Sequence, residues 1–146
     1  MQKDKKVILI AEDEDDLREM YTMALTNKGF EVLQAVNGIE ALKFLEERYT
    51  QIDLILLDVV MPGMDGFETL GKIKKEENYK KIPVLISTNL DNDEDRAQAL
   101  GGGAKEYFVK SQHTPSELVA KVIDVMGLDE TASSSSVEGT ISRKFI

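Results

Sequence analysis

The sequence predicts a doubly wound α/β domain, in which a five-stranded parallel sheet carries helices on both faces. Two observations support this prediction. Five short apolar runs are spread along the chain, and segments with helical periodicity lie between them. Strands that alternate strictly with helices are joined by right-handed crossovers and lie parallel, which places helices on both sides of the sheet.

The five apolar runs are short enough to be strands. They span residues 7–11, 30–35, 52–57, 84–86 and 107–109. The first, third and fourth runs are suited to the middle of the sheet, where both faces are covered. The second carries Glu31 and Gln34, and the fifth is brief, so both are suited to edges. The predicted strand order is therefore 2-1-3-4-5, the flavodoxin-like arrangement.

The first two helices are predicted from apolar spacing and from end signals. One face of the first carries five apolar residues: Leu17, Met20, Tyr21, Ala24 and Leu25. Gly29 then offers the left-handed conformation that ends a helix. Asn37 and Glu40 have the spacing of a capping box, in which both side chains accept hydrogen bonds from backbone amides at the start of the second helix.

The other three helices differ in the strength of their signals. The third has three apolar residues at helical spacing: Phe67, Leu70 and Ile73. The fifth begins at Thr114 as cap with Pro115 in the first turn, and Gly127 closes it. In the fourth, around residues 93–100, Ala97 and Leu100 are almost the only apolar residues, so we expect it to be the most loosely attached helix.

Polar side chains follow the carboxyl ends of four predicted strands. They are Glu12 and Asp13 after strand one, Asp58 after strand three, Thr88 at the end of strand four and Lys110 after strand five. Ligands of such sheets bind at the switch point between strands one and three. Three carboxylates there would raise one another's pKa values unless a cation compensates, and Mg²⁺ prefers oxygen ligands of this kind. With the Lys110 ammonium and the Thr88 hydroxyl, the set is typical of a phosphoryl site.

Each of these residues also has an ordinary explanation on its own. Acidic residues favour the start of a helix, an aspartate before Pro62 and Gly63 suits a turn, and a lysine after an edge strand is commonly exposed. Four such positions at one edge of one sheet favour a common function.

Four segments at these positions resemble the receiver domain of two-component response regulators. They read IAED at residues 10–13, LLDVVMPGMDG at 56–66, PVLIST at 83–88 and YFVK at 107–110. The resemblance covers residues 5 to about 127, and the central segment is highly specific. It implies a stand-alone receiver similar to chemotaxis regulators, with a domain over residues 1–128.

The resemblance also implies a role for each site residue. Asp58 would take a phosphoryl group from the phosphohistidine of a sensor histidine kinase or a phosphotransfer protein, with Lys110 and Thr88 beside it. The implied Mg²⁺ ligands are Glu12, Asp13, Asp58 and the backbone carbonyl of Val60. Thr88 and Tyr107 would form a switch that remodels the surface of helix four, strand five and helix five for a downstream protein. The chain would be a phosphoacceptor that phosphorylates itself and hydrolyses slowly, and not otherwise an enzyme.

Two features depart from the usual receiver pattern. Ser111 follows Lys110, where receivers usually have a proline after a cis bond. A cis bond to a residue other than proline costs about 3–4 kcal/mol, so this loop is either trans or strained. Val60 and Leu90 are apolar where some relatives carry polar side chains that position water, which predicts slow self-hydrolysis.

Composition disfavours several other classes of protein. With 18 Lys and Arg against 27 Asp and Glu, the net charge is −9, and direct binding to nucleic acid is disfavoured. The lack of cysteine excludes disulfides and thiolate metal sites and fits the cytoplasm, and no apolar run is long enough to span a bilayer. We expect a monomer or weak homodimer, with the Ser-rich residues 129–146 as a flexible tail.

Three alternative functions stay open at this point. A phosphatase of the haloacid dehalogenase type also uses an aspartate at a strand end with Mg²⁺, but its second aspartate would fall at Val60. A flavodoxin-like cofactor binder lacks support, because no glycine-rich turn follows strand one. The third is a pseudo-receiver that is never phosphorylated.

Overall fold

The five strands form one parallel sheet in the order 2-1-3-4-5, as the sequence predicts. The computed structural model describes residues 5–128, so the predicted tail at 129–146 lies outside the described residues. The strands are β1 (Val7–Ala11), β2 (Glu31–Ala35), β3 (Leu54–Leu57), β4 (Val84–Thr88) and β5 (Glu106–Val109). The helices are α1 (Asp15–Asn27), α2 (Gly38–Arg48), α3 (Gly66–Lys75), α4 (Asp93–Gly101) and α5 (Pro115–Val125), and a single 3₁₀ turn spans Lys110–Gln112.

Alternate side chains of the strands enter two separate cores. Ile8 and Ile10 of β1 pack with α1 and α5, whereas Leu9 packs on the opposite face with α2 and α3. All residues of β1, β3 and β4 are buried, and in β2 Glu31 and Gln34 are exposed. This confirms the prediction of central and edge strands from apolar content.

The helix ends follow the sequence signals with one difference. Gly29 and Gly127 both have positive φ, and Thr114 forms a full capping box with Glu117. At α2, the Asn37 side chain accepts from the Glu40 amide as predicted. The Glu40 carboxylate accepts from the amide of Val36 and not from that of Asn37, because the turn before the helix brings Val36 within 2.9 Å.

One predicted core residue is exposed, and α4 buries a single side chain. Met20 was expected on the buried face of α1, but it is exposed, since α1 buries a narrower stripe centred on Tyr21 and Leu25. In α4, Ala97 and Leu100 are both exposed, and the buried residue is Ala99. The short side chain of Ala99 lets α4 lie close to the sheet.

Some strand boundaries also differ from the prediction. Phe30 and Ile52 are buried, but they lie before β2 and β3 and not within them. Strand β4 extends two residues further than the apolar run, so Thr88 is its last residue. No cis peptide bond occurs between residues 5 and 128, and the bond between Lys110 and Ser111 is therefore trans.

Candidate functional site

The predicted site residues meet at the carboxyl edge of the sheet. Glu12, Asp58 and Lys110 are only 3%, 5% and 8% exposed, and Thr88 is completely buried. Asp13 lies beside them with an exposed side chain. Burial of three ionisable groups in one place is unusual unless they compensate one another, because desolvation penalises each charge.

Backbone hydrogen bonds of the sheet continue one residue beyond β1 and β3, and they fix the positions of Glu12 and Asp58. The amide of Asp58 donates to the carbonyl of Ala11 at 3.1 Å, and the amide of Glu12 donates to that of Ala35 at 3.0 Å. Gly66, at the start of α3, packs directly on this loop, since a Cβ there would lie 2.2 Å from the carbonyl oxygen of Asp58. The position of Asp58 therefore depends on β1, on β3 and on the start of α3.

Lys110 joins the two buried carboxylates. Its ammonium donates to Glu12 Oε1 at 2.7 Å and to Asp58 Oδ2 at 3.0 Å. The second oxygen of each carboxylate accepts from a backbone amide: Glu12 Oε2 from Glu14, and Asp58 Oδ1 from Val60, both at 3.1 Å. All four oxygens thus have a donor, which holds both side chains in defined orientations.

The electrostatics of the site follow from burial and from this ion pair. Burial raises the pKa of Glu12, although the hydrogen bond from Lys110 opposes the shift. Burial alone would lower the pKa of Lys110, but the hydrogen bond to Glu12 and the charge of Asp58 outweigh it and raise the pKa above the ordinary lysine value. Lys110 is consequently a firmly protonated countercharge between two acids.

The three acidic residues have the geometry of a group that could hold a metal ion. One oxygen each of Glu12, Asp13 and Asp58 lies within 4.8 Å of the others. Within residues 5–128, Lys110 supplies the ion pairs to this cluster. Three carboxylates therefore lie near one ammonium. Hard oxygen donors with unbalanced negative charge suit a divalent cation such as Mg²⁺.

The site opens into a cleft of about 470 Å³. Its lining residues are Glu12, Asp13, Glu14, Asp58, Val60, Thr88, Asn89, Leu90 and Lys110. Every predicted site residue except Tyr107 therefore lines one cavity.

Tyr107 does not line the cleft, but a hydrogen bond to the β4–α4 loop connects it to the cleft. Its ring is buried, and its hydroxyl donates to the carbonyl of Leu90 at 2.7 Å. The Leu90 amide donates a long hydrogen bond of 3.4 Å to the hydroxyl of Thr88. The guanidinium of Arg96 on α4 lies 4.8 Å from the centre of the Tyr107 ring, within the range of a cation–π contact.

Sequence comparison decides the family. A profile described as the response regulator receiver domain matches residues 8–123. The chain belongs to this family. The resemblance inferred from the four segments is thereby confirmed.

Individual relatives of the receiver domain agree with this assignment. The phosphate regulon transcriptional regulatory protein PhoB of Escherichia coli is 38% identical over 119 residues, which are 82% of this chain and 51% of PhoB. PhoB of Pseudomonas aeruginosa is 37% identical over 121 residues. The chain spans about half the length of the curated relatives that it matches.

Solved structures show the same fold. The Vibrio cholerae chemotaxis protein CheY4 superposes with a TM-score of 0.77 at 30% identity, over 83% of this chain and 98% of that one. A Borrelia burgdorferi CheX–CheY–BeF₃–Mg²⁺ complex superposes with a TM-score of 0.76 at 28% identity, over 82% and 88% of the two chains. None of the helices in residues 5–128 of the receiver domain combines the length and apolar character needed to cross a bilayer.

Some contacts of the receiver domain were not found by sequence reasoning. Arg18 donates to the carbonyl of Glu12, and its position after five consecutive acidic residues is a charge signal that could have identified it. The side chain of Gln112 donates to Asp91 at 2.6 Å, which links the loops after β4 and β5. No sequence pattern connects those two loop residues, because their pairing depends on the sheet order.

Proposed function

We propose that this chain is a phosphoacceptor of a two-component phosphorelay and that Asp58 is the residue phosphorylated. The observation that carries the proposal is the buried Asp58 carboxylate, with the Lys110 ammonium 3.0 Å away and two further carboxylates within 4.8 Å. An acid held in this way is accessible from a cleft and is surrounded by groups that recognise a phosphoryl oxygen or a divalent cation.

In the proposed reaction, a carboxylate oxygen of Asp58 attacks the phosphorus of a phosphohistidine on a kinase or phosphotransfer protein. The new O–P bond forms as the P–N bond breaks, and the electron pair of that bond leaves with the imidazole, which takes up a proton from water. Lys110 supplies positive charge for the transferred oxygens, and the Thr88 hydroxyl offers a donor. The amides near Val60 and Asn89 lie at the cleft and add further donors.

The proposed cofactor is Mg²⁺, held by Glu12, Asp13, Asp58 and the backbone carbonyl of Val60. When bound, the ion would neutralise charge on the phosphoryl oxygens during transfer. The Borrelia burgdorferi relative was solved as a complex with BeF₃ and Mg²⁺, which supports this choice of cation for a similar fold.

The proposal is tested by labelling with radioactive acetyl phosphate in the presence and absence of Mg²⁺. We expect Mg²⁺-dependent labelling of the parent protein and none of Asp58→Asn. Asp65→Asn is the matched control, because Asp65 is a nearby aspartate that caps α3 through the Glu68 amide and does not line the cleft. Equal labelling of the parent and Asp58→Asn would contradict the assignment, as would rapid turnover of a small phosphate ester by the parent.

The output of the proposed phosphoacceptor is a change of the surface formed by α4, β5 and α5. Thr88 would bond the phosphoryl group, and the loop that connects Thr88 through Leu90 to Tyr107 would pass the change to α4. The partner would be a downstream protein in the cytoplasm and not nucleic acid bound directly by these residues. Hydrogen exchange of α4 with and without beryllofluoride and Mg²⁺ tests this step, and identical exchange would refute it.

The phosphorylated state is expected to be long-lived. Val60 is 55% exposed at the cleft and Leu90 lines it, so neither side chain offers a polar group to orient water. Following loss of label from the purified phosphoprotein measures the rate, and a half-life of seconds would contradict this expectation.

A further inference from the structure

The guanidinium of Arg18, on α1, contacts three parts of the fold, one of which is the acidic loop formed by residues 12–14 between β1 and α1. Nη1 donates to the backbone carbonyl of Glu12 at 2.8 Å, at the end of β1. Nη2 donates to Asp15 Oδ1 at 2.7 Å, at the start of α1, and Nε donates to Gln34 Oε1 on β2 at 3.3 Å. The Arg18 side chain is only 14% exposed, and its bond to the Glu12 carbonyl is partly buried, whereas its bonds to Asp15 and Gln34 are exposed.

Arg18 contacts the acidic loop through its backbone and not through the carboxylates of the site. Residues 12–16 are five consecutive acids, and Arg18 is the first basic residue after them. A planar guanidinium can donate in three fixed directions at once, whereas a lysine ammonium is a compact point charge. The fork of Arg18 therefore joins β1, β2 and α1 in a way that charge alone would not.

Glu12 and Asp13 depend on this backbone to different degrees. The Glu12 carboxylate has its own contacts to Lys110 and to the Glu14 amide. The Asp13 carboxylate is exposed and forms no hydrogen bond or ion pair within residues 5–128. The direction of Asp13 is consequently set by the loop backbone, whose first carbonyl Arg18 holds.

We propose that Arg18 is a positioning residue for the divalent cation: by holding the Glu12 carbonyl, it fixes the Glu12 and Asp13 carboxylates in a binding arrangement. The proposal rests on the proposed function in one respect, that these carboxylates take up Mg²⁺. Removing a residue that orients a metal ligand without binding the metal typically lowers metal affinity by about 10–100-fold.

The experiment is calorimetric titration of the metal-free protein with MgCl₂. We expect Arg18→Gln and Arg18→Lys both to weaken Mg²⁺ binding by roughly tenfold, since both lose the three-way fork. Arg48→Gln is the matched control, because Arg48 also donates to β2, through Glu31, but does not contact the acidic loop. Its Mg²⁺ affinity should equal that of the parent.

Arg18→Lys separates positioning from simple charge screening, and it keeps the test valid if Arg18→Gln does not fold. If Arg18→Lys binds Mg²⁺ as the parent does, the guanidinium acts only as a charge and the proposal is overturned. Acetyl phosphate labelling gives a second readout: at saturating Mg²⁺, the rate for Arg18→Lys should return to the parent value, and a persistent loss of maximal rate would also overturn it. Failure of the proposed function looks different, because the parent itself would then bind no Mg²⁺.

Discussion

The Lys110 ammonium lies 3.0 Å from the Asp58 carboxylate, and both side chains are almost completely buried. Removing the ammonium by Lys110→Met leaves Asp58 and Glu12 as buried like charges. We expect the metal-free variant to lose about 3–5 kcal/mol of unfolding free energy, the usual effect of breaking a buried pair. Mg²⁺ should restore more stability to the variant than it adds to the parent, because the cation replaces the missing charge. Urea unfolding with and without Mg²⁺ measures both effects.

Lys121→Met is the control for this substitution. Lys121 lies on the surface, 3.9 Å from Glu106, and an exposed pair of this kind contributes less than about 1 kcal/mol. A loss from Lys110→Met as small as that from Lys121→Met would show that the buried pair does not stabilise the fold.

Mg²⁺ should stabilise the parent protein, and Asp13 should be needed for the effect. A ligand at one hundred times its dissociation constant adds about 2.7 kcal/mol to the unfolding free energy. We expect Asp13→Asn to lose most of this gain, Asp16→Asn on α1 to keep it, and EDTA to reverse it. Thermal unfolding monitored by circular dichroism is sufficient. If Asp13→Asn and the parent gain equally, Asp13 is not a ligand.

Two glycines of α3 should respond in opposite directions to alanine. At Gly66 a Cβ would lie 2.2 Å from the Asp58 carbonyl oxygen and 2.3 Å from Val59 Cα, so Gly66→Ala must displace the loop that holds Asp58. We expect Gly66→Ala to lower both stability and acetyl phosphate labelling. At Gly71 a Cβ meets nothing within 4 Å, and Gly71→Ala should add about 0.8–1.0 kcal/mol from helix propensity alone. Chemical unfolding measures the stability of both variants. Labelling of Gly66→Ala at the level of the parent would contradict the close packing of Gly66 against the Asp58 loop.

The Tyr107 phenol should make stability fall at alkaline pH. Burial raises its pKa above the usual value of 10.0, so above that pH the unfolded chain ionises first and binds fewer protons than the folded one. The unfolding free energy must therefore fall as pH rises through this range, and Tyr107 has no such effect at neutral pH. We expect a smaller fall for Tyr107→Phe than for the parent when urea unfolding is compared at pH 9 and about one unit above the usual pKa. Parallel curves would indicate that the Tyr107 phenol ionises normally.

The sheet order, and the meeting of the polar side chains at one edge of the sheet, were predictable because each rests on a local pattern. Apolar content separates β1 from β2, and the polar residues after each strand meet automatically once the strands are parallel. The segment around Asp58 then identifies the family.

Other features were not predictable because they depend on distances between elements. Ala97 and Ala99 are equivalent by composition, and only the docking of α4 on the sheet decides which is buried. The reciprocal bond of Glu40 goes to Val36 because the preceding turn, which the spacing rule ignores, determines the nearest amide. The trans bond before Ser111 was one of two alternatives that the sequence left open.

Helix α4 buries one side chain, Ala99, in contrast to the several that anchor α5. A methyl group withdrawn from water contributes only about 0.8 kcal/mol, which is close to the thermal energy at room temperature. If Asp58 is phosphorylated as proposed, a shift of α4 would therefore withdraw only this one buried side chain from the core. The small side chain at position 99 therefore attaches α4 to the sheet through much less buried apolar surface than attaches α5.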